Sequence, residues 1–139
     1  MKTKSEIDFT ADIIDVRDII ERIEELDTEY EVFVGDDDSD EIRAAWDATD
    51  AGAELSTLLM LMEDLKGYGG DEQWRGEWYP LTLISESYFT QYVEEMLIDC
   101  GTIPSDLPSW VHIDWETTAK EVKHDYSTID INGLEYFYR

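Results

Sequence analysis

The chain is short of most features that would tie it to a common functional class. It has one cysteine, Cys100, among 139 residues, so no intrachain disulfide can form and nothing points to an oxidising compartment. That thiol and the two histidines, His112 and His124, lack the spacing of zinc ligands. No segment approaches the roughly 20 apolar residues of a membrane span, and the N-terminal MKTKSEIDFTADIID has no apolar run of the signal-peptide kind. The expectation is a cytoplasmic protein with no membrane contact. Lys and Arg number only 10, too few for the basic footprint that direct binding of nucleic acid or anionic lipid requires. There is no internal repeat and no Pro/Ser/Gly linker, so one domain over 1–139 is expected, with an N-terminal helical part (about 1–66) and a C-terminal part (about 67–139).

What the chain has in excess is acid. Its 35 Asp and Glu leave a formal net charge of −25, whereas solubility needs a net charge of only about 2 to 8. Acidic disordered tails reach such values, but this chain is 42% apolar and 12% aromatic, enough to build a core. The surplus therefore points to function or to a high-salt environment, and a basic surface is the natural partner. The charge is also uneven. Residues 21–50 carry 13 acids against Arg22 and Arg43, while residues 81–110 carry five acids and no base.

Apolar spacing of Val16, Ile19, Ile20, Ile23 and Leu26 predicts a helix over about 12–26, with Asp12 or Asp15 as N-cap. YEVFVG (30–35) reads as a short strand or as the continuation of an irregular helix. DDDSDE (36–41) leads into a helix over 39–49. Leu55, Leu58, Leu59, Met62 and Leu65 then predict a longer helix over 52–66, stopped by Gly67. LTLI (81–84) is a short buried strand. Ser85 or Ser87 would cap a helix to about 99, whose apolar face holds Phe89, Tyr92, Val93, Met96, Leu97 and Cys100. Asp114 would cap a helix over 115–124 with Trp115, Ala119 and Val122 inward. YSTIDINGLEYFYR reads as a hairpin turning at Asn132-Gly133. The predicted fold class is α+β, a small antiparallel sheet including the C-terminal hairpin, packed with about four to five helices.

Searches for chemistry return little. Asp36, Asp38 and Asp40 sit at calcium-loop positions one, three and five, but Glu41 stands where the loop needs Gly and Asp47 where it needs a bidentate Glu. Cys100, His112 and Asp114 form no recognisable nucleophile motif, and the thiol's place on an apolar stripe predicts a buried, inert side chain. KGYGGDEQWRGEWYP (66–80) concentrates Gly67, Gly69, Gly70 and Gly76 without the Lys-Ser/Thr ending of a P-loop or the strand and helix order of a dinucleotide fold. No catalytic residue, metal or cofactor is expected. The segment reads as a structural loop in which Trp74, Trp78 and Tyr79 anchor the backbone and Arg75 meets a carboxylate, with an aromatic hot spot at Trp74 and Trp78 as the other reading.

The same segment, together with LTLI-S-ESYFTQYVEEM (81–96), the stretch from His112 to Tyr126 and the closing NGLEYFYR, resembles ArdA-like antirestriction proteins of phages, in a short form. Ile113, Asp114 and Trp115, followed by Ala119 and Asp125, are similar to an Ile-Asp-Tyr…Ala-x-Asp segment of that family, and IIDVRDIIERIEEL (13–26) resembles the start of its phage versions. The resemblance implies an acidic mimic of DNA that binds type I restriction-modification enzymes in the host cytoplasm. It also implies a basic DNA-binding defence protein as partner, and a homodimer as in longer members.

Charge geometry leads independently to the same class. Carboxylates three or four residues apart on a helix lie about 5 to 6 Å apart on one face, against one charge per about 1.7 Å of duplex axis. The residues expected to form such a surface are Glu21, Glu24, Glu25, Asp27, Asp36, Asp37, Asp38, Asp40 and Glu41, extended by Glu63, Asp64, Asp71, Glu72, Glu86, Glu94, Glu95 and Asp99. Two alternatives stay open: inhibition of a CRISPR effector by the same mimicry, and a halophilic or scaffold protein without mimicry.

Overall fold

A computed structural model describes residues 7–67 and 69–139. Tyr68 and residues 1–6 lie outside the described residues, and with them parts of the 66–80 segment and of the N-terminal reading. In chain order the elements are β1 (Ile13–Asp15), α1 (Val16–Val34), α2 (Asp40–Asp47), α3 (Asp50–Leu65), β2 (Asp71–Trp74), β3 (Glu77–Tyr79), β4 (Thr82–Ser85), α4 (Glu86–Asp99), α5 (Trp115–Val122), β5 (Ser127–Ile131) and β6 (Leu134–Tyr138). Five helices and a four-stranded antiparallel sheet ending in a hairpin make the α+β class a property of the molecule. The chain divides into two compact units. Asp15–Leu81 forms the first, with Ile7, and Asp8–Ile14 with Thr82–Arg139 forms the second.

In the first unit α1, α2 and α3 pack against one another. Asp15 opens α1 by accepting the Arg17 N–H at 2.9 Å, satisfying one of the donors that a helix start leaves free. The apolar stripe Val16, Ile19, Ile20, Ile23 and Leu26 is buried, each side chain contributing about 1.5–3 kcal/mol. The helix does not stop at 26. Residues 30–34 continue it, so of the two readings of YEVFVG the helical continuation holds and the strand does not. Tyr30 and Phe33 each bring a ring to 5.5 Å from that of Trp46 in α2, and Gly35, at φ 56°, ends the helix with its N–H on the Glu31 carbonyl. Ser39 and Thr49 cap α2 and α3 through the Ile42 and Gly52 N–H groups. At Gly52 a Cβ would run into the Trp46 carbonyl, so only glycine lets the first turn of α3 approach the end of α2.

The expected loop at 66–80 contains a hairpin. β2 and β3 pair with Trp74 opposite Glu77, and the two residues between them, Arg75 and Gly76, both have positive φ (52° and 75°). That is the type I′ geometry matching the right-handed twist of paired strands. The Gln73 amide donates to the Tyr79 and Pro80 carbonyls at 2.8 and 3.0 Å, and Tyr79 is buried. Trp78, expected to anchor this segment on the core, is instead 52% exposed.

In the second unit the strand order is β1-β4-β6-β5. β1 corrects the expected helix start at 12. These three residues are extended, and the Ser85 N–H donates to the Asp12 carbonyl at 2.8 Å. Ser85 occupies the N-cap position of α4 but makes no capping bond; its hydroxyl lies 3.2 Å from that of Ser87. Phe89, Val93, Ala119, Ile84 and Phe137 form the core. Phe89 meets Phe137 and Tyr126 edge-to-face at 4.7 and 5.1 Å, the arrangement that aromatic quadrupoles favour. Asp114 caps α5 through the Thr117 N–H at 3.1 Å. The closing hairpin turns at Asn132 and Gly133, with φ of 54° and 86°. Cys100 departs from its expected burial: α4 ends at Asp99, and the exposed thiol lies 3.3 Å from the Thr102 hydroxyl, a contact that lowers its pKa.

Candidate partner-binding surface

Position on α1 decides which carboxylates share a face. With the buried stripe turned inward, residues 18, 21, 25 and 29 fall at helical spacing on the outer side, flanked by Glu24 and Glu31, and all six are exposed. Each step along that row rises about 4.5 to 6 Å. Asp18, Glu29 and Glu31 lie outside the sequence-predicted set. The three-and-four spacing that runs through 18, 21, 25 and 29 is the signal for the first two, and Glu31 stands two turns, seven residues, from Glu24.

The other predicted residues of the first unit are placed as follows. Asp36, Asp37 and Asp38 are exposed in the connection between α1 and α2. The Ser39 backbone N–H, 2.9 Å from Asp37, and the Ser39 hydroxyl hold that carboxyl below its ordinary pKa. Asp40 and Glu41 occupy the first turn of α2, where negative charge favours the helix dipole. Glu63 and Asp64 are exposed in the last turn of α3, Asp71 and Glu72 on β2. Asp27 is half-buried and faces Arg75 at 3.6 Å.

Four predicted residues belong to the second unit. Glu86 and Asp99 are exposed at the two ends of α4 and Glu94 is half-buried, while Glu95 accepts bonds from the Tyr88 hydroxyl and the Gln91 amide at 2.9 and 3.1 Å. The structure thus groups thirteen of the predicted carboxylates in the first unit and four in the second.

Among the described residues, the cations of the first unit are already engaged. Asp15–Leu81 holds 21 carboxylates and five basic side chains. Arg17 pairs with Asp15, Arg43 with Asp40, Lys66 with Glu63 and Arg75 with Asp27. Arg22, nearly buried, holds Glu54 through two bonds of 2.7 Å and Glu25 at 3.0 Å. Its guanidinium pKa is raised, first by the Glu54 hydrogen bonds and then by Glu25, against the cost of burial. Among the described residues the other 15 carboxylates of this unit make no ion pair. Their field is open to an outside cation, and at physiological salt it reaches about 8 Å into solvent.

Trp74 and Trp78 are placed differently on the hairpin. Arg75 stacks over the half-buried Trp74 ring with its guanidinium carbon 4.0 Å from the centroid, so Trp74 is partly covered by its own neighbour. Trp78 presents an open ring. Among the described residues no group of three or more His, Cys, Asp or Glu side chains could hold a metal ion, and no helix is long and apolar enough to cross a membrane. No protein-family model, curated protein or solved structure matches this chain.

Proposed function

We infer that this protein is a stoichiometric inhibitor that occupies the DNA-binding surface of a host defence enzyme in the host cytoplasm. It acts as an acidic DNA mimic of the ArdA-like antirestriction kind, with a type I restriction-modification enzyme as its first target. The observation that carries this reading is the charge inventory of Asp15–Leu81: among the described residues all five of its basic side chains pair internally, while 15 of its carboxylates make no ion pair. A surface organised only for folding would need no such surplus. A basic DNA channel gains from it the same counterion release that it gains from DNA. Binding spreads over many exposed pairs worth about 0.2–1 kcal/mol each, so no one carboxylate decides it, and no reaction is catalysed.

The test is a titration of the protein into a type I restriction enzyme with labelled DNA. Inhibition should be competitive with DNA, saturate at a fixed ratio and fade steeply as salt rises from about 0.05 to 0.5 M. Joint reversal of Glu21, Glu24 and Glu29 to lysine should abolish it, while each single reversal leaves most of it. Inhibition undiminished at high salt would sink the electrostatic mechanism. Inhibition confined to a CRISPR effector in a parallel titration would move the target but keep the mechanism. A protein that melts cooperatively only in concentrated salt would instead belong to the halophilic class.

A further inference from the structure

We propose that a groove on the outer side of α3 binds a leucine-bearing, lysine- or arginine-rich amphipathic helix of a partner protein. Six residues of α3 spaced at three and four line it: Gly52, Leu55, Ser56, Leu59, Met60 and Glu63. Trp46 and Asp47, at the end of α2, close one side, and the groove holds about 380 Å³, within the range of about 300–1,000 Å³ that ligand pockets occupy. It exists because Gly52 carries no side chain where the two helices meet.

Its chemistry is divided. The middle is apolar, and Met60 is 67% exposed there although α3 buries Leu58, Leu61, Met62 and Leu65 on its inner side. A helix apolar around so much of its circumference is suited to burial on both sides, and a flexible thioether adapts to an incoming apolar side chain. Both ends carry a carboxylate: Asp47 beside Trp46, and Glu63, which shares its Oε2 with Lys66 at 3.3 Å, keeps its other oxygen outside that pair and lies eleven residues along α3 from Gly52. That length is about 16 Å, three helical turns, so a helix lying in the groove can set apolar residues at i, i+3, i+4 and i+7 on the floor and cations at both ends. The 21 carboxylates against five bases in Asp15–Leu81 favour this occupant. They oppose a second copy of a chain whose net charge is −25.

The inference stands on the groove and its charge, and holds whether or not the target is a DNA-binding enzyme. Two synthetic helical peptides with equal lysine content, one carrying leucines at i, i+3, i+4 and i+7 and one carrying serines there, are titrated into the full chain by calorimetry. The leucine peptide should bind about tenfold tighter or more, the value of burying one or two apolar side chains. It should also shift the Met60 methyl resonance. Met60→Glu should erase that preference, although the added carboxylate strengthens attraction for lysine. Val32→Glu, which adds the same charge at a 79% exposed position outside the groove, should preserve it. Both variants should melt within a few degrees of the parent. Equal affinity for the two peptides would overturn the proposal, as would equal effects of the two variants. Self-association abolished by Met60→Glu would assign the groove to a second copy and overturn it too. DNA competition is read in a separate assay, so loss of one result leaves the other standing.

Discussion

The two units solve the problem of stability under heavy negative charge in different ways. Asp15–Leu81 of the first carries 21 carboxylates against five bases and, among the described residues, spends those five cations on internal pairs, with Arg22 held between Glu54 and Glu25. The second carries 13 against three and is centred on rings, Phe89 lying within 4.7 to 6.1 Å of Phe137, Tyr126 and Tyr92. Its Lys123 ammonium lies 5.0 Å from the Phe137 ring centroid, so even a cation there lies against an aromatic face. One unit keeps its charge available and the other keeps its interior dense. Stability and binding capacity are thus concentrated in different parts of one chain.

The largest expected effect lies in the second unit. Phe89→Ala removes the centre of the aromatic cluster and should cost about 3–5 kcal/mol, measured by urea unfolding. Arg22→Met should cost less, about 2–3 kcal/mol, because Glu54 and Glu25 lose charge-assisted bonds but retain access to water. Adding Glu54→Met should restore much of it, since an apolar pair can replace a buried ion pair. Raising sodium chloride from about 0.05 to 0.5 M should slow amide exchange more in α1 than in α4, because repulsion is greater in the first unit. Equal gains in both helices would remove the electrical half of the contrast.

Alkaline pH addresses the ring-built unit. Burial, aided by a hydrogen bond with Tyr92, pushes the Tyr126 pKa up to about 12, while an unfolded tyrosine titrates near 10. A raised folded pKa means that the stabilisation is complete below pH about 10 and is lost as pH rises through about 12. A Tyr126→Phe variant should lack that loss, and ultraviolet titration should show one fewer late phenolate. The smallest effect belongs to Arg43→Ala. Its pair with Asp40, 97% exposed, should contribute under about 0.5 kcal/mol. A loss comparable to that of Arg22→Met would mean that exposure does not separate the two kinds of pair.

Much of this arrangement was legible in the residues. Caps at Asp15 and Asp114, the stripes of α1 and α3 and the Asn132-Gly133 turn are local signals, and local chemistry determined them. What local signals left open or missed depended on distant partners. YEVFVG has strand propensity but becomes helix where Tyr30 and Phe33 reach Trp46, and tertiary contact outweighs a preference worth tenths of a kcal/mol. The β2–β3 hairpin escaped notice because Arg75-Gly76 adopts the turn that Asn-Gly usually signals. Cys100 sat on an extrapolated stripe one residue beyond the helix. Of the acidic surface, composition revealed the surplus. The internal pairing of the cations and the groove beside Met60 required coordinates, since a linear count cannot say which charges are spent.

The order in which the elements leave the ribosome follows from the sheet's connectivity. β1 emerges early, yet its neighbour β4, and β6 next to that, follow only after the uninterrupted Asp15–Leu81 segment. The Tyr136 hydroxyl, which bonds the Phe9 and Ala11 carbonyls at 2.9 Å, reaches Phe9 across 127 positions. The acidic helices can therefore assemble during synthesis, whereas the ring-centred unit must wait for the last strand. Prior folding of the intervening segment shortens the effective loop that this late closure has to gather. Translation itself thus sets a sequence of events in which the charged surface is ready before the part of the molecule that closes last.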